Sequence, residues 1–128
     1  MKIEDLTIEE AKIKIDQANL LNKQIEIKKS ELQQKMNRQK DEKVEIKSRK
    51  STKLKNIQKE INKQGTQSGK EYKRKEKKRE SDSFDKRIKL KEEEIKKTRN
   101  EIDKLKKNKA NNVQIKELLN QHVKQLKK

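Results

Sequence analysis

Proline and cysteine are absent from this 128-residue chain, glycine occurs only as Gly65 and Gly69, and the aromatic residues are Tyr72 and Phe84. Proline costs a helix interior about 3 kcal/mol and glycine about 1, so their scarcity leaves long stretches free to be helical. Without cysteine there is no disulfide, no thiolate metal site and no cysteine nucleophile. Long apolar runs are missing as well, and no stretch approaches the ~18 residues that span a bilayer. The opening Met1-Lys2-Ile3-Glu4-Asp5 is acidic with no apolar run behind it, which reads as no signal peptide. The closing Gln125-Leu126-Lys127-Lys128 carries no lipidation motif. Together these features predict an intracellular, cytoplasmic protein (nuclear if the source is eukaryotic) with no membrane insertion.

Leu, Ile, Val and Phe supply only 27 of the 128 residues, close to the level at which a highly charged chain stays disordered. A water-excluding pocket needs apolar walls that this composition does not provide. The expectation is therefore a protein that is not an enzyme, with no cofactor, no metal and no small-molecule substrate. What the chain does have is charge and helix formers. Lys and Arg number 39 against 22 Asp and Glu, a net charge of +17. Ala, Glu, Lys, Leu and Arg make up 68 residues, a composition typical of long helices and coiled coils.

Thr7-Ile8-Glu9-Glu10 has the form of a capping box, in which the Thr7 hydroxyl and the Glu10 carboxylate satisfy each other's backbone amides. A heptad seam follows: Ile8, Ala11, Ile15, Ala18, Asn22, Ile25, Lys29, Leu32, Met36, Gln39, Lys43, Ile46, Lys50. Eight of these thirteen positions are apolar in a chain that is 26% hydrophobic. A four-residue stutter leads to Leu54, Ile57 and Ile61, and such insertions unwind a supercoil without ending the helix. Polar residues in the seam, Asn22, Lys29, Lys43 and Lys50, set register at a cost in stability, so partner contact is expected to complete the fold.

Both glycines fall in Gln64-Gly65-Thr66-Gln67-Ser68-Gly69, near the middle of the chain. Gly65 suits a left-handed cap after the first helix, and Ser68-Gly69-Lys70-Glu71 has the form of a second capping box. Lys70 to Asp82 is nearly free of apolar residues, Tyr72 excepted. The heptad resumes at Phe84, Ile88, Lys91, Ile95, Thr98, Ile102 and Leu105. Asn111-Asn112 then reads as a break, with Ile115, Leu118, Leu119, Val123 and Leu126 forming the apolar face of a short final helix. Acid-to-base pairs four residues apart support the exposed faces: Glu10–Lys14, Glu31–Lys35, Glu45–Arg49, Glu71–Lys75, Asp82–Lys86, Glu92–Lys96, Glu93–Lys97 and Asp103–Lys107.

The predicted fold is all-α: a long antiparallel two-helix coiled-coil hairpin with a short C-terminal helix, extended rather than globular. Its parts are a lead-in over 1–7, a heptad helix over 8–64, a glycine-containing turn at 65–69, a basic return helix over 70–110 and an amphipathic helix over 111–128. At 1.5 Å per residue the first helix would be about 85 Å long. The competing arrangement is one uninterrupted rod dimerising in parallel, which leaves the pairing of the glycines unexplained.

The charge is not spread evenly. Residues 1–36 carry 7 basic and 7 acidic side chains, residues 37–80 carry 17 and 7, and residues 81–128 carry 15 and 8. Lys70, Lys73, Arg74, Lys75, Lys77, Lys78 and Arg79 place seven cations in ten positions, and Arg49, Lys50, Lys53 and Lys55 lie on the facing arm. Cations this close repel one another unless a polyanion or counterions sit beside them, and counterion release from a nucleic acid supplies such a driving force. A solvated face is the competing reading. An AT-rich genome would explain many lysines but not the depletion of acids beyond residue 37.

The sparse aromatics offer no stacking platform for single strands, and no zinc-finger, helix-turn-helix or RNA-recognition signature is present. Phosphate contact by lysine and arginine remains, which positions without reading sequence. Nucleic acid, RNA or DNA, is the expected partner, with acidic protein surfaces and anionic lipid as the other polyanions that fit, and a protein partner or self-association is expected beside it.

Four other constellations lead nowhere. Gly65-Thr66-Gln67-Ser68-Gly69-Lys70 has one residue too few between its glycines for a phosphate loop, and Glu71 follows the lysine. His122 is the sole histidine, so neither a two-histidine metal site nor a catalytic triad with a choice of bases can be built. Glu92-Glu93-Glu94 points its carboxylates about 100° apart around a helix. Ser81-Asp82-Ser83, beside the basic run, reads as a polar gap where a helix restarts.

In outline, a basic antiparallel hairpin of this length resembles the stalk or chaperone proteins of flagellar and type III export, which insert a two-helix coiled coil into a rotary ATPase. The resemblance is one of whole-chain architecture and attaches to no particular residue. Small basic subunits of ribonucleoprotein particles and phage-encoded scaffolding or inhibitor proteins share the composition. Two functions follow: a nucleic-acid-associated protein that makes contact near the turn, or a protein adaptor that docks through Ile115, Leu118, Leu119, Val123 and Leu126.

Overall fold

A computed structural model of the chain describes residues 2–128. Among them there is no strand: 94% helix is carried by a 3-10 turn at Ile3–Asp5 and two long α-helices that pack against each other, α1 (Ile8–Lys63) and α2 (Gln67–Leu126). No helix is long and apolar enough to cross a membrane among the described residues.

The start of α1 forms as its sequence dictates. The Glu10 amide donates to the Thr7 hydroxyl at 3.2 Å, and the Thr7 amide donates back to the Glu10 carboxylate at 3.3 Å. Leu6, just before the cap, and Ala11, four positions into the helix, bury together and staple the entering chain.

The turn differs from its expected form. It is shorter, residues 64–66, and α2 already begins at Gln67. Thr66, not Ser68, caps α2, its hydroxyl accepting from the Gly69 amide at 3.1 Å. Gly65 takes no left-handed conformation, since no glycine has positive φ; the Gln64 amide instead reaches the Ile61 carbonyl at 3.2 Å, a 3-10 closure of α1. A Cβ on Gly65 would meet nothing within 4 Å. Gly65→Ala is therefore expected to raise stability by about 0.4–1 kcal/mol, through the lower entropy of the unfolded chain. Thermal unfolding checks this; a lowered midpoint would mean that the turn needs glycine's freedom.

The break expected at Asn111-Asn112 is not there either, and α2 runs on to Leu126, so 111–128 is not a separate helix. Asparagine costs a helix interior only a fraction of a kcal/mol. The alternating steps of four and three also pass straight through: Leu105, Lys109, Asn112 and Lys116 are half-buried, and Leu119 and Val123 are buried. The other seam positions behave alike. From Ile8 to Ile61 on α1 and from Phe84 to Leu105 on α2, each is buried or half-buried.

The packing divides into two compact units. One combines the chain up to Gln34 with Arg99–Lys128. Its core is Leu6, Ala11, Leu119 and Val123, with Ile3, Ile8 and Ile15 packed against it. The ring of His122 lies 2.8 Å from the Leu6 carbonyl. That oxygen can only accept, so Nε2 carries the proton and donates, tying the lead-in to α2. The second unit, Lys35–Thr98, is a helical hairpin closed by the turn. Met36, Ile57, Ile61, Phe84 and Ile95 are its buried apolar residues. Gln39 and Thr98 are buried with them and satisfy each other across the helices, Thr98 Oγ1 donating to Gln39 Oε1 at 3.0 Å.

Candidate polyanion-binding surface

The basic residues singled out from the sequence all lie in the hairpin unit, and the structure sorts them into two groups. The first group is internal. Lys50 is half-buried and pairs with Asp85 at 2.5 Å. Lys73 is half-buried between Glu60 at 3.0 Å and Glu76 at 3.2 Å. Lys77 donates to the Gln58 side-chain oxygen Oε1 at 2.8 Å. These side chains lay their stems along the helix–helix seam and carry their charge to its edge. Arg49 is exposed but held by Glu45 at 2.5 Å; of the eight pairs four residues apart expected along the chain, it is the one that forms among the described residues.

The second group is free. Lys53, Lys55, Arg74, Lys75, Lys78 and Arg79 are exposed, and none makes an ion pair among the described residues. Lys70 is half-buried and also without an ionic partner. At 100° per residue, Arg74, Lys75, Lys78 and Arg79 fan over about 140° of α2 on the side away from Lys73, Lys77 and Phe84. The pairs Arg74–Lys78 and Lys75–Arg79 are one-turn neighbours, roughly 6 Å apart. Lys75, Lys78 and Arg79 also line a shallow hollow with Asp82 and the exposed ring of Tyr72. Lys53 and Lys55 do not share a face, because two residues on a helix point about 200° apart. Of the eleven basic residues singled out from the sequence on the two arms, four exposed ones without ion pairs among the described residues thus share a patch on α2, with outlying lysines on α1.

The apolar face expected near the C-terminus divides in the same way. Leu119 is 1% exposed and Val123 8%, so both belong to the core of their own unit. Ile115, Leu118 and Leu126 remain exposed, and Ile115 borders a hollow lined by Ile3, Leu6, Ala18 and Leu21.

Sequence reasoning missed why lysine is tolerated in the seam. Glu42-Lys43 on α1 and Lys91-Glu92 on α2 exchange partners crosswise: Lys43 meets Glu92 at 2.9 Å and Lys91 meets Glu42 at 2.6 Å, with Glu94 at 2.9 Å from the same ammonium. Two Glu/Lys dipeptides in reversed order, one on each arm, were the available signal. In the other unit Lys109 meets Glu26 at 2.5 Å. The hydrogen bonds to Glu42, then Glu94, hold Lys91 above its ordinary 10.5, and those to Glu60, then Glu76, do the same for Lys73. The bond from Lys109, then that from Lys29, holds Glu26 below its ordinary 4.5, and the bond from Lys43 lowers Glu92 likewise.

These shifts set a pH dependence. Raised lysines contribute stability that is complete below 10.5 and is lost only as pH climbs through their folded values. Lowered carboxylates contribute stability that is present above 4.5 and is lost as pH falls through their folded values. Protonating all 22 carboxylates would also lift the net charge from +17 to +39, leaving His122 aside, and add self-repulsion. The thermal midpoint is expected to be flat between about pH 7 and 9 and to fall steeply below about pH 4. An unchanged midpoint at about pH 3 would show that the cross-helix pairs contribute nothing.

Comparison with known proteins finds no matching family model, no similar curated protein and no similar solved structure. The residues alone must carry the functional reading.

Proposed function

We propose that this protein is a non-enzymatic, basic coiled-coil hairpin that acts inside the cell by holding the phosphate backbone of RNA or DNA, within a larger nucleoprotein assembly. One observation carries the reading. Six of the twelve acids of the hairpin unit pair with lysines at the helix–helix seam, while Arg74, Lys75, Lys78 and Arg79 face solvent together with no ion pair among the described residues. Such a patch gives up condensed counterions to a nucleic acid and reads no base edges. Tyr72 beside it is too isolated to make a stacking track.

The test is competition in fluorescence anisotropy. Two duplexes of unrelated sequence are expected to bind within about threefold of each other, since phosphate contacts carry no sequence information. Poly-glutamate, a flexible carboxylate polymer, is expected to displace them poorly. A strong preference for one duplex, or easy displacement by poly-glutamate, overturns the reading.

A second reading rests on the exposed Ile115, Leu118 and Leu126 and the hollow beside them: a protein adaptor whose C-terminal apolar residues dock on a partner. Leu118→Asp would cripple an adaptor and leave nucleic-acid binding intact.

A further inference from the structure

The back of α1 carries a second stripe that its packing against α2 does not use. Ile13, Leu20 and Ile27 recur every seven residues and are 58%, 57% and 63% exposed. The seam residues Ala11, Ala18 and Ile25 lie about 160° round the helix from them. Gln17 and Gln24 fill the intervening positions of the stripe, both exposed. Five consecutive positions of a heptad pattern thus carry no charge, in a chain that is 48% charged. An uncharged stripe of aliphatic and glutamine side chains at this spacing is a helix-pairing surface.

Its borders indicate what covers it. One flank reads Glu9, Asp16, Lys23, Ser30 and the other Lys14, Leu21, Lys28, all exposed and without ion pairs among the described residues. In a parallel pair of identical helices opposite flanks meet, which sets Glu9 against Lys14 of the second copy but Lys23 against its Lys28, an attraction offset by a like-charge contact. In an antiparallel pair each flank meets itself reversed. Asp16 then faces Lys23 of the second copy, Lys23 faces its Asp16, and Glu9 faces Ser30. On the other side the aliphatic stem of Lys14 lies over Leu21 of the second copy. No like charges oppose one another.

We infer that α1 pairs antiparallel with α1 of a second copy through Ile13, Gln17, Leu20 and Gln24, with the two-fold axis beside residues 18–19 and Ile27 at the edge of the contact. The stripe and its flanks supply far fewer residues than the roughly 20–30 a side of a standard interface, so the dimer forms at concentrations of about tens of micromolar or where a shared polyanion gathers copies.

Sedimentation equilibrium of the full chain tests this. The wild type is expected to be a monomer–dimer mixture near about 50 μM, and Leu20→Glu a monomer at ten times that concentration. Asp16→Lys alone and Lys23→Asp alone are each expected to weaken dimerisation about tenfold, and the double exchange to restore it. All three positions are exposed, so circular dichroism should match wild type throughout. A wild type that stays monomeric at several hundred micromolar, or a double exchange that fails to rescue, overturns the inference. Nucleic-acid binding by monomeric Leu20→Glu is expected to persist, which separates this pairing from the polyanion reading.

Discussion

Reversing Arg74, Lys75, Lys78 and Arg79 to glutamate together is expected to lower nucleic-acid affinity at least about 100-fold near 100 mM salt, while the helical signal remains. The magnitude follows from the counterion atmosphere. A protein making 6–10 phosphate contacts loses about 10³–10⁵ in affinity between 50 and 200 mM salt, so each contact carries a sizeable share. Reversal also adds repulsion to the loss of attraction. The four side chains are exposed and outside the helix–helix seam, so the fold has no need of them. Lys50→Gln is the control. It removes a cation of the same basic region, but one that is half-buried and paired with Asp85. Its effect is expected in thermal stability, with binding within about twofold of wild type. Equal losses of binding in the two variants would mean that total charge, not the α2 patch, governs contact.

Leu119→Ala is expected to cost about 2–5 kcal/mol, the range for deleting a buried leucine side chain. Leu119 is the largest fully buried side chain, packed with Leu6, Ala11 and Val123. With so small a core, little can collapse into the space, and the midpoint should fall by about 10 °C or more. Its neighbour gives the contrast: Leu118 is 47% exposed, and Leu118→Ala should shift the midpoint by no more than about 2 °C. Similar shifts for both would contradict the assignment of Leu119 to the core and Leu118 to the surface.

Periodicity makes most of the fold legible in the sequence. The seam from Ile8 to Ile61 could be read because aliphatic residues outnumber polar ones there, and the cap at Thr7 because its motif is local. Asn111-Asn112 misled for the opposite reason. Lys109, Asn112 and Lys116 are polar seam residues, so the three–four alternation continues in position but not in hydrophobicity. The glycine turn misled through propensity. Gly65 suits a left-handed cap, yet a 3-10 closure at Gln64 and a threonine cap at Thr66 satisfied the same backbone groups with fewer residues.

The candidate surface was legible only as a region. Composition located the cations, but composition cannot tell Lys73, committed to Glu60 and Glu76, from Lys75, committed to nothing. That distinction depends on which residues of the opposite helix stand across the seam, and so on a register that Glu42-Lys43 and Lys91-Glu92 encode jointly. Leu119 and Val123 show the same limit: a dense apolar face was visible, but whether a partner or the chain itself covers it is decided by tertiary pairing.

The most direct measurement is the salt dependence of binding to a duplex of arbitrary sequence, from about 50 to 300 mM. The four cations of the α2 patch, each releasing roughly 0.9 counterion per phosphate contact, should give a slope of about −4 in log affinity against log salt. Reversal of the four should bring it close to zero. A wild-type slope shallower than about −1, or no binding at low salt, would contradict phosphate contact as the role of this surface.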